Sequence, residues 1–387
     1  MKIGILGTEL MSINYGCAAL GVAQIQFIEN IAKEKNIKIE YYVFSNDEVL
    51  KIQKLKEQLK IESKIEIKKL INFRDGLKGM YYISNEINKC DIIIDITYGD
   101  SFSDIYGFKN YILYTIPKLM TLYRKKILVL APQTVGPYKN KLAKLLSKKV
   151  LKKSNIICVR DEKSLEYAKK ISKREDIILA SDLAMELPYE KKKLNETKFK
   201  IGINISTLLW NNSDEENLKQ YGIVIDYKEL VKRIISRFNS NTYEVHLITH
   251  VYAKDDTKGE YALAKKVHEE FPETILAPKF ESPIDAKSYM SGLDLFFGAR
   301  MHATIGAFSS GVPVIPTSYS RKFEGLYGSL GYNYGINLRE TTIEDAMNHI
   351  EYCLENYDKL EEDRKKAFEE ALNRNQKYHK LLEEIIK

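Results

Sequence analysis

The chain has 387 residues, 44% of them apolar, and a formal net charge of +7, which is too long for one ordinary domain and enough to bury two cores. No run is long and apolar enough to span a bilayer. No basic stripe is interleaved with aromatics, which speaks against nucleic acid as a partner, and the start "MKIGILGTELMSINYG" lacks the layout of a signal peptide. The expected location is therefore cytoplasmic, and the excess of lysine suits anionic substrates or peripheral contact with the inner face of an anionic membrane.

In chain order, "KIGILG" (2–7) reads as a buried strand and "CAALGVAQIQFIENIAKE" (17–34) as the helix that follows. "IEYYVF" (39–44), "DIIIDI" (91–96), "KILVLAP" (126–132) and "NIICVR" (155–160) are further strands. Continuous apolar runs of this kind fit parallel strands covered on both faces. "KNKLAKLLSKKVLKKS" (139–154) and "EKSLEYAKKIS" (162–172) have the spacing of surface helices. Cys17, Cys90, Cys158 and Cys353 form no C-x-x-C pair, so neither a zinc knuckle nor a redox motif is expected. Cys90 and Cys158 fall in strand patterns and should be core.

The pattern then restarts. "FKIGINIS" (199–206) repeats the Lys-Ile-Gly-Ile of the opening strand, just after the charged stretch "YEKKKLNETK" (189–198), a composition typical of a domain boundary. "TYEVHLITH" (242–250), "LDLFFGA" (293–299) and "VPVIPTS" (312–318) follow as strands. The reading is an α/β protein of two tandem Rossmann-like βα domains, at 1–190 and 191–341, with a helical C-terminal tail at 342–387. His246 lies inside its strand and reads as core, His250 ends that strand, and His268 and His379 read as solvated helix positions. A homo-oligomer is compatible with this composition.

Open parallel sheets bind ligands beyond the carboxyl ends of their strands, and the polar motifs fall in those loops. In "SINYGCAAL" (12–20), Asn14 and Gly16 suit a tight turn whose N–H groups face an anion; the alternative is an ordinary capped helix. "DITYGDSFSDIYG" (95–107) offers Asp100 and Asp104, either as a general acid or base or as helix caps. "VRDEKS" (159–164) puts Arg160 at a strand end, where its fork grips a phosphate or carboxylate or makes a surface ion pair. "SDLAMEL" (181–187) offers Asp182 in a loop. No His or Glu stands at ligand spacing from these acids, so no metal site is expected.

The richest stretch is "GARMHATIGAFSSGVPVIPTSYSRKFEGLYGSLGY" (298–332). Arg300 ends a strand, His302 lies in the first turn of the next helix, and the loop after the following strand carries Tyr319, Arg321 and Lys322. A cationic histidine at a helix N-terminus opposes the helix dipole, so His302 suits a neutral proton carrier or a neighbour of a bound anion. Two loops opening at the same end of one sheet bring these groups together as a site for a small, multiply charged anion.

These motifs resemble those of the polysaccharide pyruvyl transferase family. The resemblance runs from residue 3 to about 335 and is carried by the order R-x-H…G-x-P…Y-x-x-K in 300–322, by "GDSFSD", by "SINYGCAAL", by "VRDEKS" and by "SDLAMEL". It departs in the glycine loop, where Gly99 stands alone between Tyr98 and Asp100, and in the first loop, where Cys17 replaces an aspartate. The resemblance implies a fold similar to the two-domain GT-B architecture. It implies transfer of the carbon skeleton of phosphoenolpyruvate onto a sugar of a cell-surface polysaccharide or its lipid-linked precursor, as a ketal, with release of phosphate. The N-terminal domain would take the acceptor and the C-terminal domain the phosphoenolpyruvate. His302 and Asp104 would be catalytic. Arg300, Lys322, Arg160, Asn14, Gly16, Tyr319, Arg321, Asp100 and Asp182 would bind substrate, and neither a metal nor an organic cofactor would be needed. Closure over the reactants would exclude water. The alternatives are a nucleotide-sugar glycosyltransferase of the same fold and a non-catalytic protein that binds a glycan or an anion. The first is disfavoured by Gly306, which stands where such enzymes often carry a glutamate.

Overall fold

A computed structural model describes residues 1–70, 75–194, 197–238, 240–255 and 257–387; within these, the side chain of Arg321 lies outside the description. The chain divides into two compact units. One comprises Met1–Ser12, Cys17–Leu183 and Ala371–Lys387, and the other Ile13–Gly16 and Ala184–Glu370.

In the first unit, β1 (Lys2–Leu6), β2 (Glu40–Phe44), β3 (Lys64–Lys68), β4 (Ile92–Asp95), β5 (Ile127–Gln133), β6 (Ile156–Val159) and β7 (Ile178–Leu179) form a sheet in the order β3-β2-β1-β4-β5-β6-β7. In the second, β8 (Phe199–Asn204), β9 (Tyr243–Leu247), β10 (Ile275–Leu276), β11 (Leu295–Gly298), β12 (Val314–Ser318) and β13 (Ile336–Asn337) follow the order β10-β9-β8-β11-β12-β13. Every paired strand is parallel. Both units have the doubly wound order, with the chain reversing direction across the sheet at its first strand.

The repeated Lys-Ile-Gly-Ile occupies that strand in each unit, β1 and β8. Its glycine has the same packing reason twice. Gly4 pairs in register with Ile93, and a Cβ at Gly4 would lie 2.4 Å from Ile93 Cδ1. Gly202 pairs with Phe296, and its Cβ would lie 2.6 Å from Phe296 Cδ2. In both sheets the neighbouring strand folds its side chain over the glycine. Burial on both faces makes β4 (IIID) and β11 (LFFG) uniformly apolar over the sheet interior. β3 (KIEIK) is different: it is an edge strand with alternating charge and no continuous apolar run. Cys90 and Cys158 are fully buried, as expected of core residues. His246 is buried too, with Nδ1 2.8 Å from the Tyr289 hydroxyl and Nε2 2.9 Å from Glu244.

The boundaries of the units differ from the divisions at 190/191 and 341/342, and backbone bonding gives the reason. Residues 13–16 join the second unit because Tyr15 N–H donates to His250 O at 3.2 Å, Tyr252 N–H donates to Ile13 O at 2.9 Å, and Asn14 pairs antiparallel with Val251. The tail consists of helices Ile343–Glu355 and Tyr357–Ile385. The second of these starts in one unit and ends in the other. In the second unit the Tyr357 hydroxyl donates to Asp294 O at 2.7 Å. In the first, Ser181 N–H donates to Asn375 Oδ1 at 2.7 Å and the Tyr378 hydroxyl donates to Gln24 at 2.5 Å. His379 is therefore not a solvated position: its ring stacks on Phe27 with centroids 3.7 Å apart, and burial pushes its pKa down to about 4. Among the described residues no helix is long and apolar enough to cross a membrane.

Candidate functional site

In the second unit the neighbouring strands β9, β8, β11 and β12 deliver residues at their carboxyl ends. β8 ends on Asn204, which is buried. Arg300 follows β11 and precedes helix Met301–Ser309. Its backbone N–H donates to Asn204 Oδ1 at 3.2 Å. Its side-chain Nε donates to Glu260 Oε1 at 2.5 Å. Glu260 is 1% exposed and opens helix Gly259–Glu270 beyond β9. Its other oxygen accepts from Val251 N–H at 3.1 Å and from the Asn204 amide at 3.4 Å. Burial pushes the Glu260 carboxyl up, and Arg300 and these donors pull it back. Burial works against the Arg300 charge, but Glu260 overcomes it and holds the guanidinium above its ordinary pKa. Arg300 is thus a permanent cation aimed by a buried carboxylate.

His302 lies in the first turn of helix Met301–Ser309. Gly16 is pressed against its ring: a Cβ at residue 16 would stand 2.1 Å from His302 Nδ1. Asn14 shapes this turn by accepting the Gly16 N–H at 3.2 Å. His250 completes the group. It is 3% exposed, its ring meets Tyr15 edge-on with centroids 5.9 Å apart, and burial together with the charges of His302 and Arg300 pushes its pKa down to about 3. Among the described residues neither of its ring nitrogens has a hydrogen-bond partner. After β12, Tyr319 packs edge-on against Tyr221 at 5.4 Å. Burial pushes its phenol up, while Arg300 and Lys322 pull it back, so both cations act on one hydroxyl.

A second group lies in the first unit. Arg160, 5% exposed at the end of β6, donates from Nη1 to Asp182 Oδ2 at 2.7 Å and from Nε to Thr134 Oγ1 at 3.0 Å. Burial opposes its charge, and Asp182, Asp100 and Asp161 more than restore it. The loop "TYGD" approaches through three successive left-handed residues, Thr97 (φ 41°), Tyr98 (φ 51°) and Gly99 (φ 80°), a conformation costly for the first two. A Cβ at Gly99 would lie 2.8 Å from Leu20 Cδ1 and 3.0 Å from Arg160 Nη1. The turn is held from below by Lys118, fully buried in the middle of helix Phe108–Tyr123. Its Nζ lies 2.9 Å from Asp95 Oδ1 and donates to Thr97 Oγ1 at 2.6 Å. Asp100 then accepts from the Tyr106 hydroxyl at 2.8 Å.

The structure therefore brings Asn14, Gly16, Arg300, His302, Tyr319 and Lys322 into the second unit, and Asp100, Arg160 and Asp182 together in the first. Arg321 has its backbone in helix Arg321–Tyr327, and its side chain lies outside the described residues. Asp104 stands apart from the Arg160 group in its bonding. Its two oxygens accept the backbone N–H groups of Lys139 (3.0 Å) and Asn140 (2.7 Å), the two residues that lead into helix Lys141–Lys153. Sequence reasoning missed Glu260, Asn204 and Lys118, and gave His250 no role. Among the described residues no group of three His, Cys, Asp or Glu is placed to hold a metal ion.

A family model for polysaccharide pyruvyl transferases matches residues 14–321. No curated protein matches the chain. Among solved structures, UDP-GlcNAc 2-epimerase from Neisseria meningitidis bound to UDP-GlcNAc is similar with a TM-score of 0.60 at 10% identity, covering 97% of this chain and 100% of that one. UDP-GlcNAc 2-epimerase from Methanocaldococcus jannaschii gives 0.59 at 11% identity, with 91% and 92% covered. Anabaena Alr3699/HepE in complex with UDP and glucose gives 0.57 at 13% identity, with 99% of both chains covered. At these identities the likeness is one of fold, and the fold is GT-B-like. The family match spans more than half of the chain and includes Asn14, Gly16, Arg300 and His302; the chain belongs to the polysaccharide pyruvyl transferase family.

Proposed function

We propose that the protein takes phosphoenolpyruvate as donor and transfers its pyruvyl group to a sugar of a cell-surface polysaccharide or its lipid-linked precursor, closing a ketal and releasing phosphate. The observation that carries this reading is Arg300, held charged by Glu260 at a helix start beside His302. Phosphoenolpyruvate presents a carboxylate and a phosphate on one carbon. A guanidinium fork, the helix N–H groups and the Lys322 ammonium suit those two anions.

The reaction needs three proton movements, forms two carbon–oxygen bonds and breaks one. A proton goes to the donor methylene, making it methyl, and a sugar hydroxyl oxygen bonds to the adjacent carbon and gives up its own proton. A second hydroxyl oxygen then bonds to the same carbon as that carbon's bond to the phosphate oxygen breaks; phosphate leaves with the electron pair, and the second hydroxyl's proton passes to it. We assign His302 to proton transfer at the methylene or the departing phosphate, and Arg300 and Lys322 to the charge on the leaving group. No organic cofactor enters this scheme.

Nucleotide-sugar transfer is the alternative, since fold neighbours carry UDP or UDP-GlcNAc. Gly306 weighs against it. It lacks the carboxylate that would hold a donor ribose, and a Cβ there would lie 2.7 Å from Met290 Cε, so a glutamate would fit only if that methionine end moved. The test is thermal-shift titration of the wild type and Arg300→Lys with phosphoenolpyruvate, beside UDP-, GDP- and CMP-sugars. A ligand of the native state raises its stability. We expect phosphoenolpyruvate alone to stabilise the wild type, and much less so the lysine variant. Stabilisation by a nucleotide sugar and none by phosphoenolpyruvate would replace this reading with the alternative.

A further inference from the structure

Helix Lys141–Lys153 has two faces of different chemistry. Ala143, Ser147, Val150 and Leu151 are buried against the first unit. The outward arc carries Lys141, Lys144, Lys148, Lys149, Lys152 and Lys153, and the helix contains no acidic residue. Among the described residues no carboxylate stands within ion-pair distance of any of the six. Other lysines are paired, such as Lys232 with Glu270 or Lys366 with Glu362; what marks this helix is that six lysines with no such partner among the described residues share one arc.

Solvation explains six lysines; it does not explain the leucines among them. Leu145 is 62% exposed and Leu142 49%. At 3.6 residues per turn, Leu145 falls at the centre of the outward arc, with lysines on both sides. The apolar surface continues past the helix start. Asp104 clamps the backbone of Lys139 and Asn140, and the residues just beyond it, Ile105 and Phe108, are also exposed. Phe108 stacks on Tyr111, whose hydroxyl donates to Ala143 O of the helix at 2.8 Å. The first unit thus presents two exposed leucines among six lysines that have no ion-pair partner in the described residues, with exposed Ile105 and Phe108 near the start of that helix.

We propose that this face docks on an anionic lipid bilayer, with Leu142, Leu145, Ile105 and Phe108 entering the headgroup boundary and the lysines reaching the lipid phosphates. A helix lying in the interface buries its apolar residues shallowly and keeps long cationic side chains at headgroup level. A nucleic acid would use the same lysines but would gain little from aliphatic side chains at the centre of the arc. The inference stands apart from the transfer reaction, since it concerns attachment alone.

The test is co-sedimentation of the full chain with vesicles of phosphatidylcholine, pure or with one third phosphatidylglycerol, at low and high salt. The wild type should pellet with the anionic vesicles and stay in solution with the neutral ones, and salt should release it. Replacing Lys144, Lys148, Lys149 and Lys152 by Gln should weaken partitioning about fivefold per lysine. Leu142→Ser with Leu145→Ser should also weaken it, at unchanged charge. All six positions are exposed, and melting curves matching the wild type would show that folding is intact. Absence of wild-type binding to anionic vesicles would overturn the proposal. So would binding that the leucine pair leaves unchanged while an oligouridylate competes it away, because the face would then be a polyanion site.

Discussion

Arg300 Nε and Glu260 Oε1 lie 2.5 Å apart, although their residues follow strands that flank β8 on opposite sides. The pair closes across the carboxyl end of that strand, where Asn204 bonds to both partners. Arg300→Ala would leave Glu260 buried without its counter-charge, a change that destabilises by about 3–5 kcal/mol. The carboxyl, already raised by burial, would lose the guanidinium that pulls it down. A carboxyl with a raised folded pKa binds its proton more tightly when folded, so it favours folding at low pH and loses that contribution as pH rises. The melting temperature of Arg300→Ala should therefore fall, relative to wild type, as pH rises from 5 to 8. The double variant Arg300→Met with Glu260→Gln should recover much of the loss without recovering phosphoenolpyruvate binding. A pH series of melting curves on the three proteins checks this.

Gly16 touches His302 without being its neighbour in the chain. Gly16→Ala would place a methyl group 2.1 Å from His302 Nδ1 unless one of them moves. Displacing a reacting group by about 1 Å costs on the order of a hundredfold in rate. We expect Gly16→Ala to lower phosphate release from phosphoenolpyruvate in the presence of acceptor by that order, and Gly16→Val by more. Gly107→Ala serves as a control, because a Cβ there meets nothing within 4 Å, although its φ of 95° adds local strain.

Asp100 and Asp104, two of the three carboxylates in residues 95–107, should separate in their effects. Asp104 holds two backbone N–H groups, so Asp104→Ala should cost about 1–3 kcal/mol of stability and loosen the start of helix Lys141–Lys153. Asp100 shares its surroundings with Arg160. Asp100→Asn should melt close to the wild type and transfer poorly. Melting curves and phosphate-release rates on both variants check the split; the reverse pattern would favour Asp104 as the catalytic carboxylate.

Some of this was legible in the sequence and some was not, for reasons that can be named. The Lys-Ile-Gly-Ile repeat pointed to a restart of the fold because the same glycine packs under the same neighbouring strand twice, at Gly4 and Gly202. Arg300, His302, Tyr319 and Lys322 were visible because strand, helix, strand and loop succeed one another without interruption. Glu260 was hidden. It opens "GEYALAKKVHEE", which reads as a solvated helix, and only the order β9-β8-β11 carries it to Arg300. Lys118 was hidden for the opposite reason: a lysine in a helix is read as surface, and this one is wholly buried beside Asp95. Asp104 was legible as a polar loop residue, but its partners Lys139 and Asn140 lie thirty-five and thirty-six residues on and could not be read from the motif.

His250 gives the last prediction. Its imidazole is buried beside Arg300 and His302, and both ring nitrogens lack a partner among the described residues. A buried polar group in that state costs about 1–3 kcal/mol, so a purely structural histidine here would be better replaced by phenylalanine. Its folded pKa, lowered to about 3 mainly by burial, lies below the ordinary histidine value. The unfolded chain therefore takes up the proton first, and the wild type loses stability as pH falls from about 6.5 toward 3. His250→Phe should melt at or above the wild-type temperature at pH 7 and lose less between pH 7 and pH 5. Some acid sensitivity should persist through His379, which is pushed down to about 4. If the ring nitrogens meet substrate, the same variant should lose transfer activity while keeping its fold, and His250→Asn should restore part of it. A stable His250→Phe with full activity would make the ring part of the core and nothing more.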